Sequence, residues 1–171
     1  PTREALRRLN AEGMLELVPK VGFFTVRMDL RDITDIYQSR ECIEQYVLPI
    51  VITKLTDKDK KYLWIQIDRQ EKALNDGDIE QYNAADTDFH CYLINLLNNR
   101  RLSEFYDNIR TQYRAASNSV VTDHNLLPIQ EHKTFMTHIE NGEYEEAMQV
   151  IKQHTKDAIK RMQHAFVRIG A

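Results

Sequence analysis

From position 29 onward the apolar residues recur with a helical period almost without a break. Ile33, Ile36, Tyr37, Ile43, Val47 and Ile50 form one long stripe with Arg40 among them, interrupted near Pro49. Thr56-Asp57 reads as the cap of a second helix whose stripe runs through Tyr62, Ile65, Arg69 and Leu74 and stops at Asp76-Gly77. Further helices are expected over 79–98, 102–121 and 126–141, and from 143 towards 168. The first 28 residues follow another pattern. Pro1 opens a short basic helix with Ala5, Leu6 and Leu9 on its apolar side, ended by Gly13. Two short strands over 14–19 and 23–26 follow, joined at Lys20-Val21-Gly22. The expected fold is therefore all-α: an antiparallel bundle of six helices over 29–171, preceded over 1–28 by one helix and a small β-hairpin.

Composition agrees and narrows the class. With 42% hydrophobic and 29% charged residues but only 5 Gly and 4 Pro, the chain suits a soluble, helix-rich domain. No apolar run is long enough to span a membrane, so no membrane role is expected. Cys42 and Cys91 have no metal-ligand spacing and fit a reduced, cytoplasmic protein. A net charge of -3 excludes broad nucleic-acid binding by the bulk of the chain, so any DNA contact must be local.

The candidate chemistry lies where ionisable residues fall on apolar stripes. Asp86 and His90 are four residues apart, on the face that also carries Tyr82, Phe89, Leu93 and Leu97. His132 shares a face with Ile129, Phe135, Met136 and Ile139, and His154 with Ala147, Val150, Ile151, Ala158 and Met162. His138 and His164 fall among polar neighbours, and His124 sits in an expected loop. The turn Asn141-Gly142-Glu143 folds the last two helices into a hairpin. His132 lies ~15 Å before it and His154 ~18 Å after it, so the two rings come level. One carboxylate and three imidazoles are the donor set of a divalent metal site. The alternative is a set of core histidines, each satisfied by its own neighbour. Arg40 poses a similar choice, because a guanidinium on an apolar stripe needs a partner: Glu44 one turn later, or the carboxylate of a ligand. Arg114 and Asn118, four apart on the fourth helix of the bundle, would add polar contacts to such a ligand.

The N-terminal segment, PTREALRRLNAEGMLELVPKVGFFTV, resembles the recognition helix and wing of the GntR family of bacterial transcription regulators, in the order R-E-A-L-x-x-L, G, and P-x-x-G-x-F-V. The resemblance implies that Thr2, Arg3 and Arg7 stand at the DNA end of the recognition helix, and Lys20 and Gly22 at the wing tip. It implies operator DNA as a partner and a homodimer as the binding form. It also starts at the recognition helix, so an incomplete winged helix-turn-helix is expected.

A second resemblance covers about 30–168. The D-x-x-F-H stretch, Asn99-Arg100-Arg101-Leu102, Glu131-His132 and AMQVIKQH ending at His154 look like the FCD effector domain of the FadR branch of that family. It implies that Asp86, His90, His132 and His154 hold a divalent ion, zinc or nickel, and that the domain senses a small organic acid. The expected function is a ligand-responsive transcription regulator. Two rivals share the donor set, a hydrolytic metalloenzyme and a direct metal sensor. An enzyme is not expected, because no H-E-x-x-H carboxylate lies in register with the ligands, and Glu131, beside His132 on a helix, should point elsewhere.

Overall fold

The computed structural model describes residues 2–11, 13, 15–25, 29–120 and 128–168, with side chains at all of these but 25, 114–120 and 165–168. Helix α1 (Thr2–Ala11) leads into the antiparallel strands β1 (Leu15–Val18) and β2 (Gly22–Thr25), in register Leu15 opposite Thr25 and Val18 opposite Gly22. Six helices follow: α2 (Leu30–Val51), α3 (Asp57–Asp76), α4 (Ile79–Asn95), α5 (Arg100–Val120), α6 (Ile129–Asn141) and α7 (Tyr144–Arg168). The expected strand ends at Met14 and Val26, helix ends at Val121 and Leu126 and the loop at His124 fall outside the described residues.

Local chemistry explains the boundaries. Asp29 opens α2 with a capping box: its Oδ1 accepts from Arg31 N at 2.7 Å and Asp32 N at 2.9 Å, while Asp32 Oδ2 accepts from Asp29 N at 2.8 Å. Thr56 and Asp59 repeat the device at α3, and Asp78 caps α4. Gly142, at φ +76°, ends α6 in the left-handed region that a side chain would resist. Pro49 does not interrupt α2. The helix runs two residues beyond it and tightens into a 3-10 turn over Ile52–Lys54, because only the last turn loses a backbone donor.

The six helices close a ring of neighbours, α2–α5–α4–α3–α6–α7 and back to α2. Inside it Val47, Leu63, Ile67, Phe89, Leu93, Phe135, Met136, Ile139 and Ile151 form the main core. A smaller cluster, Ile33, Tyr37, Ala158 and Met162, joins α2 to α7. Along α2, Arg40 and Glu44 lie between Tyr37 and Val47; along α7, His154 and Thr155 lie between Ile151 and Ala158, all buried. A polar layer thus divides the apolar interior. The N-terminal unit meets the bundle at Gly13, where φ is +75° and an added Cβ would lie 3.1 Å from Gln112 Nε2 of α5.

Helix α3 turns a different face inward from the one its apolar count suggests. Leu63, Gln66, Ile67, Gln70 and Ala73 are buried, whereas Ile65 and Arg69 face solvent. Two buried glutamines occupy positions that a count of apolar residues treats as surface. The two isoleucines separate the alternatives: Ile67→Ala is expected to cost ~2–5 kcal/mol in chemical denaturation, and Ile65→Ala to stay within ~0.5 kcal/mol of the parent.

Candidate metal centre

Each helix from α2 to α7 sends a side chain into the polar layer. Asp86 and His90 come from α4, His132 from α6 and His154 from α7, and all four are buried. The three rings converge, with centroids 5.1 Å apart for His90 and His132, 4.7 Å for His132 and His154, and 5.2 Å for His90 and His154. One nitrogen from each lies within 4.8 Å of the others. His90 Nε2 and His132 Nε2 are 3.2 Å apart, and Asp86 Oδ1 is 3.8 Å from the first and 3.6 Å from the second.

The far nitrogen of every ring has its own acceptor. His132 Nδ1 lies 2.9 Å from Gln70 Oε1 of α3, His154 Nδ1 2.8 Å from Glu131 Oε2 of α6, and His90 Nδ1 3.1 Å from Glu44 Oε1 of α2. An oxygen acceptor requires the proton on Nδ1, which leaves a lone pair on each Nε2. Three lone pairs and a carboxylate oxygen therefore face a common space. That arrangement repels itself unless a cation or donor lies between them, and the acceptors behind the rings are the outer support that metal-ligating histidines use. Donors ~2.1 Å from a shared ion sit ~3.0–3.4 Å apart at octahedral to tetrahedral angles, which the separations of 3.2, 3.6 and 3.8 Å approach closely. The donor set fits a divalent transition ion.

Charge in the layer is paired throughout. Arg110 of α5 donates through Nη2 to Asp86 Oδ2, is held at 3.3 Å from Thr87 Oγ1, and lies 4.5 Å from the centre of the Tyr113 ring. Arg40 Nε donates to Glu44 Oε1 at 2.7 Å, and Glu44 also accepts from Tyr106 and, at 3.2 Å, from Thr155 Oγ1. Arg161 of α7 donates to Glu131 at 2.9 and 3.3 Å. Burial alone would raise the Asp86 and Glu44 carboxyls, but Arg110 and Arg40 respectively outweigh it and hold both well below the usual range. Burial pushes the imidazoles the other way. His90 falls to about 3, helped by Arg40, and His132 and His154 are lowered as well, so all three are neutral, the form that ligates.

Of the other positions singled out from sequence, Arg40 takes the Glu44 pairing, one of the two partners left open for it. Its Nη2 also donates to His90 Nε2 at 2.8 Å and His154 Nε2 at 2.9 Å, against the very lone pairs an ion would use. The side chains of Arg114 and Asn118 lie outside the described residues; their backbone belongs to the end of α5. Thr2, Arg3 and Arg7 are exposed along α1, Lys20 (φ 66°) is exposed at the hairpin turn, and Gly22 (φ 144°) opens β2. Glu131 requires a correction: it does not point away from the site. Its side chain spans the α6–α7 groove to reach His154, a contact helical phase cannot reveal because it depends on reach between helices. Arg110, Gln70 and Tyr106 were missed altogether. Arg110 follows Tyr106 by one turn, but only the packing of α5 against α4 reveals Asp86 as its partner. His138 lies 2.6 Å from Glu143 through Nδ1, and His164 is exposed, so neither joins the cluster.

The model of the FCD domain matches residues 35–157. The HTH-type transcriptional regulator YdhC of Bacillus subtilis is 25% identical over 167 residues, 96% of this chain and 75% of that protein. The Nta operon transcriptional regulator of Aminobacter aminovorans is 29% identical over 118 residues, 68% of this chain and 55% of its own length. A crystal structure of a GntR-type regulator from Rhodococcus sp. RHA1 shares the fold, with a TM-score of 0.83 at 20% identity over 96% of this chain and 79% of that one.

The imidazole shifts set a pH dependence. Unfolded histidines titrate near ~6.5, whereas in the fold they stay neutral to lower pH, so the unfolded state binds the extra protons. Their stabilisation is fully present above ~6.5 and is lost as pH falls, at up to ~1.4 kcal/mol per pH unit for each imidazole. Asp86 and Glu44 add a further loss below ~4, where the unfolded carboxyls protonate. Urea denaturation in chelator from pH 8 to 4.5 is expected to show a plateau and then a decline. His132→Gln should flatten the decline between pH 6.5 and 5.

Proposed function

The chain belongs to the FCD-domain family of GntR transcription regulators, and on that premise we propose that it is a metal-dependent sensor of a small organic acid, coupled to an N-terminal DNA-binding unit. Asp86, His90, His132 and His154 would hold one divalent ion: nitrogen and oxygen donors suit zinc, nickel, manganese or iron, and the resemblance to the FCD family favours zinc or nickel. The observation that carries this reading is the convergence of three buried Nε2 lone pairs, each fixed by an acceptor on its own Nδ1. When bound, the ion would offer Lewis-acid attraction to a carboxylate. Arg40, whose Nη2 already faces the cluster, would turn that donor towards the same carboxylate, with Arg114 and Asn118 adding polar contacts.

Residues 1–28 make up the DNA-binding part of the reading and 29–171 the sensing part. Thr2, Arg3 and Arg7 on the exposed helix α1 suit the major groove and phosphates of operator DNA, and Lys20 and Gly22 suit a wing contact. A homodimer would present two such helices to a two-fold site in the cytoplasm. Among the described residues no helix is long and apolar enough to cross a membrane. No reaction belongs to this reading: Glu44 and Glu131, the carboxylates beside the rings, are each engaged by an imidazole and an arginine, which leaves neither as a base for an attacking water.

Zinc or nickel added to chelator-stripped protein is expected to bind at one ion per chain and to raise the melting temperature, by the equivalent of ~2.7 kcal/mol at a hundredfold excess over the dissociation constant. His132→Ala or His154→Ala should weaken binding by at least ~10-fold. Absence of a stoichiometric ion by elemental analysis would falsify the metal reading. For DNA, a protein carrying this chain behind a complete helix-turn-helix is expected to bind a two-fold operator with steep salt dependence. Affinity that survives unchanged in both Arg3→Ala and Arg7→Ala contradicts the assignment of α1.

A further inference from the structure

The charges around the histidine cluster match one to one, and a matched set has a consequence for what it can accept. Asp86 is paired with Arg110, Glu44 with Arg40, and Glu131 with Arg161. Each imidazole has an acceptor at its Nδ1, and Arg40 Nη2 donates to the Nε2 of His90 and His154, so in the form that takes an ion the rings bring no charge. Among the described residues, the groups that face the cluster therefore carry no net charge before any ion arrives. Asp157, which lines the α6–α7 groove with Glu131 and His154, is itself paired with Lys160 at 3.2 Å.

Placing a divalent ion among groups exposed by 3% or less adds two positive charges that nothing local offsets. In other buried sites excess carboxylates supply that compensation. Here Arg161 cancels Glu131, the one carboxylate of the three that stands at the rim of the site and touches a ring without facing the lone pairs. We infer that Arg161, acting through Glu131, holds the site at neutral charge and so makes ion binding depend on an anionic co-ligand, best one carrying two negative charges. Arg161 touches neither ion nor ligand in this arrangement; it is a charge-setting residue. The inference rests on the metal reading above and adds to it a direction: ion and anion each tighten the other by the same factor.

The test is zinc affinity of the chelator-stripped full chain, measured by competition with a chromophoric chelator. It is run alone and with oxalate, malonate, succinate, acetate or succinamide, each corrected for zinc binding by the free acid. At least one dianion is expected to tighten zinc by about tenfold or more, acetate by less, and succinamide not at all. Arg161→Gln leaves the Glu131 charge uncancelled, so zinc alone should bind more tightly and the anion effect should shrink. Glu131→Gln keeps an acceptor for His154 Nδ1 but removes the charge, so zinc alone should bind more weakly and the anion effect should grow. Arg161→Lys should return to the parent values. Arg161 and Glu131 are partly exposed, so these variants are expected to fold, and circular dichroism checks it. A merely structural role for the pair would weaken zinc in both variants, and that outcome overturns the inference. Zinc affinity indifferent to every anion overturns it as well, while leaving the metal reading in place. No zinc binding by the parent under any condition removes both.

Discussion

A buried ionisable group must be met by a partner of matching charge and geometry, and in this protein that requirement organises the bundle. Leaving one member of a buried pair alone costs ~3–5 kcal/mol, as much as a large cavity in the core. The layer holds Asp86, Glu44, Arg40, Arg110 and three imidazoles, so α2, α4, α5, α6 and α7 cannot slide or rotate independently without stranding one of them. Helix α3 joins through Gln70, the acceptor behind His132. The apolar clusters on either side supply the bulk of the burial, but hydrophobic contact alone permits many registers; the polar layer selects one.

The same requirement accounts for what could be read from the chain beforehand. Asp86 and His90 stand four apart on an amphipathic helix, and His132 and His154 lie at nearly equal distances from the Gly142 turn. Both relations are local or depend on one hairpin, so period and rise suffice to place four side chains together. The helices were legible for the same reason, and their boundaries fell within a few residues because caps such as Asp29 and Thr56 act on their own neighbours.

What escaped was non-local or disguised. The buried face of α3 includes Gln66 and Gln70, which look like surface residues until His132 is known to stand opposite. Glu131 appears misdirected on a helical wheel because a wheel ignores the next helix, where His154 waits within reach. Arg110 resembles an ordinary solvated arginine until α4 brings Asp86 against it. In each case the missing information was which helix lies alongside, and the partner of a polar group is the part of a fold that one-dimensional periodicity does not encode.

Helix α5 joins two places that are far apart in the sequence. Arg110 points inward to Asp86, and Gln112, two residues and about 200° further round, stands against the Gly13 turn that follows α1. Gly13 has no side chain to cushion that approach. A helix moves as a stiff rod over so short a span, so a shift that carries Arg110 with Asp86 carries Gln112 with it. One turn of α5 therefore touches both the carboxylate beside the histidines and the joint between the helix that carries Arg3 and Arg7 and the hairpin behind it.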